Sequence, residues 1–428
     1  MTIFFICCMI CASISHVLLD ASKHPSFLNS LDKLGFKSSD KVLIAFKPGK
    51  GKYAAFDGEM NAEEVERLVG FVLNGDVKFT KKRQKPKINE NNGYEVVIGS
   101  WSRCSAEPLA PPINITFNAT VAQDGSGDYT TIKAAIDAAP VGSANRYYIH
   151  VKQGVYRDEY VTVGKNKINI ALIGDDAHNT VITGRWSIAT GYASMIVDGS
   201  GFMARSITFE NSTPPTNSHQ AAVALTNNAD RSAFYQCVFL GYQGTLLANH
   251  NRQFYKDCDI YSSVYFVWGY AKAVFQDCRL YALRIGSDGN VITAQGKDSP
   301  TFDSGFSFQN CNVTVDPNLG LPKSEVSVVL GQPWKDYATV VFMESFLDDI
   351  VKPEGWSISW DNIPKPHIFY AEYNNWGPGA NTSGRVKWPG CRVLTSAAEA
   401  TRFTVSKFID GDAWIPEMGI PYQGGLNA

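Results

Sequence analysis

A short pattern recurs through the middle of this chain: an aromatic-rich run typical of a β-strand, interrupted by a cysteine. It occurs as "FYQCVF" (234–239), "FYKDCDIY" (254–261), "VFQDCRLY" (274–281) and "SFQNCNVTV" (307–315). The cysteines of the first three copies are 21 and 20 residues apart, and the fourth follows 33 residues later. One strong strand per repeat of about 20–25 residues is typical of a parallel β-solenoid, whose coils bury their inward side chains against each other. A leucine-rich solenoid or a propeller would carry leucine or Trp-Asp signatures instead. The spacing therefore predicts an all-β fold, a parallel β-helix.

Alternation within the second copy predicts which side chains face the interior, because successive side chains of a strand point to opposite faces. The inward set is Phe254, Cys258 and Ile260, and the outward set is Tyr255, Asp257 and Asp259. The two aspartates are therefore expected on a solvated face rather than as a catalytic pair.

The four repeat cysteines are expected to stack inside the solenoid and are candidates for disulfides. They are Cys237, Cys258, Cys278 and Cys311. Four cysteines allow three connectivities, and the sequence does not choose among them. Pairing of Cys237 with Cys258 and of Cys278 with Cys311 is one of the three.

The first 118 residues have a different character. Residues 1–19 begin with an apolar run of signal-peptide length, "MTIFFICCMICASIS", which no Lys or Arg precedes. Residues 24–86 contain a predicted ββα unit, with strands at "KVLIAF" and "KYAAF" and a capped amphipathic helix at "NAEEVERLVGFVLNG". Residues 87–118, polar and then proline-rich, are predicted to be a linker to the solenoid at 119–428.

The ββα unit resembles the closing half of a thioredoxin-like domain, of the kind attached to J-domain chaperones of the plant endoplasmic reticulum. The resemblance covers about residues 40–86. The opening half of such a domain and its CxxC motif do not occur in the sequence, so we do not expect redox chemistry. Cys8 and Cys11 have CxxC spacing, but they lie in the apolar leader.

Charge and missing motifs exclude several classes of function. The net charge of −2 argues against a general nucleic-acid-binding protein. The sequence has no G-x-S-x-G or G-x-x-x-x-G-K-[ST] motif, and its seven His residues lack metal-ligand spacing. No segment approaches the roughly 20 apolar residues of a membrane-spanning helix. We therefore expect no cofactor, no metal and no membrane span. Sequons agree with secretion, at Asn114, Asn118, Asn211, Asn312 and Asn381.

From about residue 119 to 426 the chain resembles the plant pectin methylesterase (pectinesterase) family. Ten segments carry the resemblance, in order: "VAQDGSGDYTTIKAAIDAAP", "YIHVKQGVYRDEYVTV", "HQAAVAL", "GYQGTL", "RQFYKDCDI", "VYFVWGYAKAVFQDC", "VITAQGKD", "LGQPWKDYATVVFM", "AEYNNWGPGA" and "RVKWPG". The resemblance implies a right-handed parallel β-helix and hydrolysis of the methyl esters of homogalacturonan, which releases methanol. In the family one Asp attacks the ester carbonyl, and a second Asp acts as general acid and base. An Arg orients the first Asp, Gln amides stabilise the oxyanion, and a Trp contacts the sugar.

The charged members of that site are replaced at the matching positions. The pattern GYQDTL places the acid/base Asp at Gly244, VDFIFGNA places the other Asp at Tyr265, and LGRPW places the Arg at Gln332. Two polar members remain, the oxyanion residue Gln243 and the sugar-contacting Trp334.

A second oxyanion position is shifted along the chain. "HQAAVAL" has one Ala more than the family's HQAVAL, so Ala221 stands where the catalytic Gln is expected and Gln220 is displaced by one residue. In a strand such a slip turns a side chain to the opposite face unless a bulge absorbs it.

The sequence thus predicts a pectinesterase-family protein that binds cell-wall pectin, is secreted and monomeric, and is catalytically impaired or inactive. One alternative is an active esterase with a rearranged site that uses Asp303 or Asp336. Others are a non-catalytic protein that binds a protein partner, and an erroneous merger of two genes. Polygalacturonase or pectate lyase chemistry is more distant, because clustered Asp with G-H-G and calcium carboxylates with Arg are not found in the sequence.

Overall fold

The computed structural model describes residues 115–427, except for 187–192, 215–220, 284–289, 316–322 and 358–364, together with the backbone of five strands before residue 115. The chain divides into two compact units, Met1–Pro108 and Leu109–Ala428.

The N-terminal unit contains a five-stranded sheet. Its strands are β1 (Thr2–Cys8), β2 (Ile14–Asp20), β3 (Val42–Lys47), β4 (Lys52–Asp57) and β5 (Thr80–Lys81), in the order β2-β1-β3-β4-β5. Strands β1 and β3 pair in parallel, and β3 and β4 pair antiparallel. The two strands predicted at "KVLIAF" and "KYAAF" are confirmed as β3 and β4. The helix predicted after them lies outside the described residues, so the thioredoxin-like resemblance stays a prediction.

The C-terminal unit is the predicted parallel β-helix, with three sheets along its length. The first sheet contains β6 (Ala119–Val121), β7 (Tyr147–Val151), β10 (Ile170–Gly174), β13 (Met203–Arg205), β16 (Ser232–Tyr235), β19 (Arg252–Lys256), β22 (Lys272–Gln276), β25 (Gly305–Gln309), β28 (Thr339–Met343), β30 (Phe369–Tyr373) and β31 (Cys391–Val393). The second contains β8 (Gly154–Arg157), β11 (Thr180–Gly184), β14 (Thr208–Asn211), β17 (Val238–Leu240), β20 (Asp259–Ser262), β23 (Arg279–Ala282), β26 (Asn312–Val315) and β29 (Phe346–Leu347). The third contains β9 (Val161–Val163), β12 (Met195–Val197), β15 (Leu225–Asn227), β18 (Leu246–Ala248), β21 (Val264–Gly269), β24 (Asn290–Gln295) and β27 (Val328–Gly331).

Helices are short and lie at the two ends of this unit. Helix α1 (Ile132–Ala138) is capped by Thr131, whose hydroxyl accepts a hydrogen bond from the backbone of Ala134. Helices α2 (Ala397–Thr401) and α3 (Val405–Phe408) follow the last strand. Single 3₁₀ turns occur at Lys323–Glu325, Pro378–Ala380, Thr382–Gly384, Gly411–Ala413 and Pro416–Met418. Within the described part of the chain, no helix has the length and apolar character needed to cross a membrane.

The corner between the first and second sheets explains the sequence repeat. In successive coils one residue at this corner adopts a left-handed conformation, with φ of 54° at Asp257, 57° at Asp277 and 57° at Asn310. Asp and Asn tolerate this region better than most residues. The next residue is a repeat cysteine, so the spacing of the cysteines is the spacing of this corner.

The same corner overturns the alternation predicted for the second copy. Phe254 is buried on the outer face of the first sheet, whereas Tyr255 is buried in the interior beside Cys258. Asp259, expected in solvent, is only 4% exposed and forms an ion pair with Arg279. The alternation fails because the left-handed residue separates two strands that belong to different sheets.

The interior contains two ladders of identical or similar side chains. The repeat cysteines are buried as predicted, with exposed fractions of 0–2%, and all four are free thiols: Cys237, Cys258, Cys278 and Cys311. The structure therefore differs from the disulfide pairing considered above, and the thiols contact backbone carbonyls of the neighbouring coil, as Cys258 does with Phe234 at 3.5 Å. The aromatic ladder stacks with ring centroids 4.5–5.0 Å apart and consists of Phe234, Tyr255, Phe275, Phe308 and Phe342.

Residues after β31 cover the outer face of the first sheet. Phe403, Val405 and Phe408 from this segment are buried in one cluster with Phe254 and Val274 of the sheet. These residues pack against the first sheet. The candidate site residues lie on a different sheet, the third.

Candidate functional site

The three positions that the family patterns predict to be replaced lie on neighbouring strands of the third sheet. Gly244 precedes β18, Tyr265 is in β21, and Gln332 follows β27. Strands β18, β21, β24 and β27 are consecutive in the sheet. The Gly244 amide donates to the carbonyl of Val264 at 2.8 Å. The structure therefore brings together positions that are up to 88 residues apart in sequence, as the resemblance implies.

Tyr265 and Gln332 are joined by a hydrogen bond. The Tyr265 hydroxyl donates to Gln332 Oε1 at 3.1 Å, and both side chains are half-buried. Burial raises the pKa of Tyr265 above its ordinary value. The phenol is therefore protonated at neutral pH and acts as a hydrogen-bond donor, not as a nucleophilic phenolate.

The backbone at Tyr265 is unusual for its residue type. Its φ is 54°, within a strand whose pairing to β24 shifts between Val264 and Val267. Bulky residues rarely adopt a left-handed conformation, and such conformations are concentrated at functional sites. The bulge turns the Tyr265 side chain toward Gln332.

Gly244 is buried and closely surrounded. Its φ is +65°, and a Cβ added there would lie 2.8 Å from Ala221 Cβ and 3.1 Å from Trp268 Nε1. The Trp268 ring nitrogen also donates to the Gly244 carbonyl at 3.1 Å. No side chain fits at position 244 unless Ala221 moves. Ala221 is also where "HQAAVAL" departs from the family pattern, so the two departures are in contact.

Of the two predicted oxyanion residues, Gln243 lies within the described residues and Gln220 does not. Gln243 is 6% exposed, and its carbonyl accepts a hydrogen bond from the Ala222 amide at 2.7 Å. Gln220, the displaced member, lies outside the described residues, so its role stays a prediction.

Aromatic side chains line this part of the third sheet. Trp334 lies 5.6 Å from Trp268 and 4.8 Å from Tyr270 between ring centroids, and Tyr270 stacks on His250 at 6.1 Å. All four are at least partly exposed. We define the groove as these four aromatic residues together with Tyr265 and Gln332. Sequence reasoning named Trp334 but missed Trp268 and His250. The signal for Trp268 was present, because it stands where the VDFIFGNA pattern has Phe.

The alternative nucleophiles named from the sequence are held by lysines. Asp303 pairs with Lys272 at 2.7 Å, and Asp336 pairs with Lys365 at 3.5 Å. Both carboxylates are mostly exposed, with side-chain exposed fractions of 78% and 58%. Across the described ranges, no group of three or more His, Cys, Asp or Glu side chains could hold a metal ion. The side chains that define the groove are aromatic rings and one amide, which can form hydrogen bonds and ring-stacking contacts. Burial, and after it the nearby Asp298 carboxylate, raises the pKa of Tyr270.

Comparison with known proteins points to one family. The profile of the family described as Pectinesterase matches residues 118–412. "Probable pectinesterase/pectinesterase inhibitor 17" of Arabidopsis thaliana is 44% identical over 333 residues, which is 76% of this chain and 63% of that protein. "Pectinesterase 1" of Citrus sinensis is 39% identical over 420 residues, 95% of this chain and 71% of that protein. The chain thus spans about 63% of the length of the first of these relatives.

Solved structures give the same fold. "Pectin methylesterase from Carrot" has 41% identity and a TM-score of 0.70, and the match covers 73% of this chain and 99% of that one. An aspartate-to-alanine mutant of a pectin methylesterase in complex with a hexasaccharide has 26% identity and a TM-score of 0.58, covering 69% of this chain and 97% of that one. The comparisons give no support to the chaperone resemblance of residues 40–86, which stays a prediction. The 95% match also reaches residues before 119, which weighs against a merger of two genes.

Proposed function

Because the chain belongs to the pectinesterase family, we propose that it is a non-catalytic member that binds methyl-esterified homogalacturonan in the groove. One observation carries the proposal. The family's Asp and Arg positions are occupied by Tyr265 and Gln332, which form a neutral hydrogen bond with each other at 3.1 Å. Gly244, at the position of the second Asp, has no side chain.

Three physical arguments support the loss of catalysis. The nucleophile of the family reaction must be an ionised, oriented carboxylate. Tyr265 does not replace it, because burial raises the pKa of its phenol and keeps it protonated. Loss of a nucleophile alone lowers the rate by about 10⁶, nearly as much as loss of the whole catalytic group.

The replacement of Arg by Gln fits the same account. A guanidinium at position 332 would be a half-buried charge beside the neutral Tyr265 and not beside the family's carboxylate, which is unfavourable. Gln332 avoids this cost and accepts the Tyr265 hydrogen bond instead. The three positions therefore support a site that changed together.

Sugar binding by a related protein survives the loss of one aspartate. A pectin methylesterase mutant that lacks one aspartate has been crystallised with a hexasaccharide. In this chain Trp268, Tyr270 and Trp334 offer aromatic faces for the apolar faces of sugar rings. The uncharged pair of Tyr265 and Gln332 also suits a neutral, esterified galacturonate.

We further propose secretion to the cell wall. Of the sequons in the described residues, Asn118 and Asn381 are exposed, which suits glycosylation in the secretory pathway. Asn211 does not suit it, because it is 1% exposed and its amide donates to the Trp186 and Val223 carbonyls. We expect a monomer, and a protein partner bound at the groove is the alternative function.

Titration with pectins of low and high methylation tests the proposal. Tryptophan fluorescence reports binding, and methanol release is followed in the same samples. We expect the highly methylated pectin to change the fluorescence without methanol release, and Trp334→Ala to weaken the binding. Methanol release at a rate typical of active relatives would refute the proposal, and absence of any pectin binding would favour a protein partner.

A reconstruction gives a second test. Gly244→Asp, Tyr265→Asp and Gln332→Arg together restore the three family residues, but the Cβ introduced at position 244 would clash with Ala221. We therefore expect esterase activity only when Ala221 is also deleted. Activity of the triple variant with Ala221 retained would contradict the steric argument.

A further inference from the structure

A cavity separate from the groove lies at one edge of the first sheet. It has a volume of about 600 Å³ and is closed on one side by α2 and α3 and the residues between them. Its floor is formed where β22, β25, β28 and β30 begin, since Lys272, Gly305, Thr339 and Phe369 are in register there. Gly305 keeps this floor open, because a Cβ there would lie 3.0–3.1 Å from Thr339 and Phe408.

The cavity is strongly cationic. Lys272, Lys297, Arg402 and Lys407 line it, and Asp303 is its one acidic side chain. Asp303 is already paired with Lys272 at 2.7 Å.

The other three cations, Lys297, Arg402 and Lys407, have no ion-pair partner among the described residues. Burial lowers the pKa of Lys297; the Asp303 carboxylate opposes this effect, and the Lys272 ammonium adds a smaller lowering. Three unpaired cations around one concave space attract an anion with more than one negative charge.

The rest of the lining is aromatic and hydroxylic, and most of it is engaged within the protein. Phe403 and Phe408 are 8% and 9% exposed. Phe403 stacks on Phe369 at 5.3 Å, Arg392 lies over the ring of Phe369, and Lys272 lies over the ring of Phe408. The hydroxyls of Ser304, Thr339 and Thr401 donate to backbone carbonyls. Lys297, Arg402 and Lys407 are therefore the groups that this cavity offers to a ligand.

We infer that this cavity binds a short de-esterified oligogalacturonate, with its carboxylates at Lys297, Arg402 and Lys407. The inference rests on the proposed function for the identity of the sugar, and on the cavity for its charge. The groove and the cavity then recognise different parts of one polymer: the groove takes neutral esterified residues, and the cavity takes charged ones.

Calorimetric titration with fully de-esterified trigalacturonate tests the inference, with the trimethyl ester as the neutral comparison. We expect Lys297→Gln to weaken binding of the acid about tenfold, because a charge-assisted contact to a partly buried ammonium is lost. Arg402→Gln, at an exposed position, should weaken it about two- to fivefold. Lys165→Gln removes an exposed charge elsewhere on the β-helix and should leave the affinity unchanged.

The groove variant separates this inference from the proposed function. Trp334→Ala should weaken binding of the ester and leave binding of the acid unchanged. Loss of acid binding in Trp334→Ala but not in Lys297→Gln would overturn the inference, as would absence of acid binding. Displacement of the acid by inorganic phosphate at equal concentration would also overturn it, since the site would then be selective for charge alone.

Discussion

The neutral pair in the groove predicts how two substitutions combine. Tyr265→Asp and Gln332→Arg each place one charge beside a neutral partner, whereas the double variant places a carboxylate beside a guanidinium. The two native side chains are in direct contact, with 3.1 Å between Tyr265 Oη and Gln332 Oε1. Both are half-buried, so neither new charge is fully hydrated.

The magnitude follows from these contacts. Each single change removes a hydrogen bond worth about 1 kcal/mol and leaves a half-buried charge unpaired, so we expect each to lower the free energy of unfolding by about 2–3 kcal/mol. The double variant loses the same hydrogen bond but gains an ion pair. Its loss should therefore be smaller than the sum of the single losses by about 1–3 kcal/mol.

Urea denaturation of the four proteins, followed by circular dichroism, measures this coupling energy. Tyr265→Asp combined with Lys165→Gln is the matched control, because Lys165 is exposed and the two changes should add within about 0.5 kcal/mol. A coupling energy below about 0.5 kcal/mol for Tyr265 and Gln332 would refute the reasoning that these two positions form one electrostatic unit.

Three further predictions concern the rest of the β-helix. Two guanidinium nitrogens of Arg385 bind the buried Glu372 carboxylate at 2.7 and 3.1 Å. Arg385→Met should lower the free energy of unfolding by about 3–5 kcal/mol, because it leaves this carboxylate without its partner. Adding Glu372→Leu should recover much of this loss in the same urea assay, and no recovery would contradict the account. After expression in a eukaryotic secretory pathway, peptide mass spectrometry should find a glycan at Asn381 and none at Asn211, whose side chain is buried; a glycan at Asn211 would show that the local fold differs. Burial raises the pKa of Tyr156 to about 12. The contribution of this shift to the free energy of unfolding is complete below pH ~10 and is lost between pH ~10 and 12, because the Tyr156 phenol ionises at a lower pH in the unfolded chain than in the folded chain. Melting temperatures measured from pH 8 to 11.5 should fall above pH 10, less steeply in Tyr156→Phe, and equal slopes would contradict this.

The sequence predicts the fold well because the repeat has a direct structural cause. The cysteine spacing reports the coil length, and Cys258 and its counterparts are buried as expected. Strict alternation fails at Asp257, whose left-handed φ of 54° separates strands of two sheets. A single sequence shows the period of a solenoid, but it does not show at which residue the chain turns a corner.

The candidate site is less accessible to sequence reasoning. Family patterns identified Gly244, Tyr265 and Gln332 as replaced positions, but no pattern contains the hydrogen bond between the last two. That bond depends on the bulge in β21, which directs the Tyr265 side chain. Likewise, the additional alanine in "HQAAVAL" was expected to displace Gln220, and its contact with Gly244 emerged only from the structure.

Under the proposed loss of catalysis, the closeness of Gly244 and Ala221 also makes the evolutionary route back to an esterase depend on the order of events. An aspartate gained at position 244 while Ala221 is present would meet a Cβ at 2.8 Å, so selection would remove it before it could be useful. The deletion has to come first, and by itself it restores no chemistry that selection could favour. Under the proposed function, steric exclusion would therefore hinder a lineage that carries both changes from regaining the family reaction.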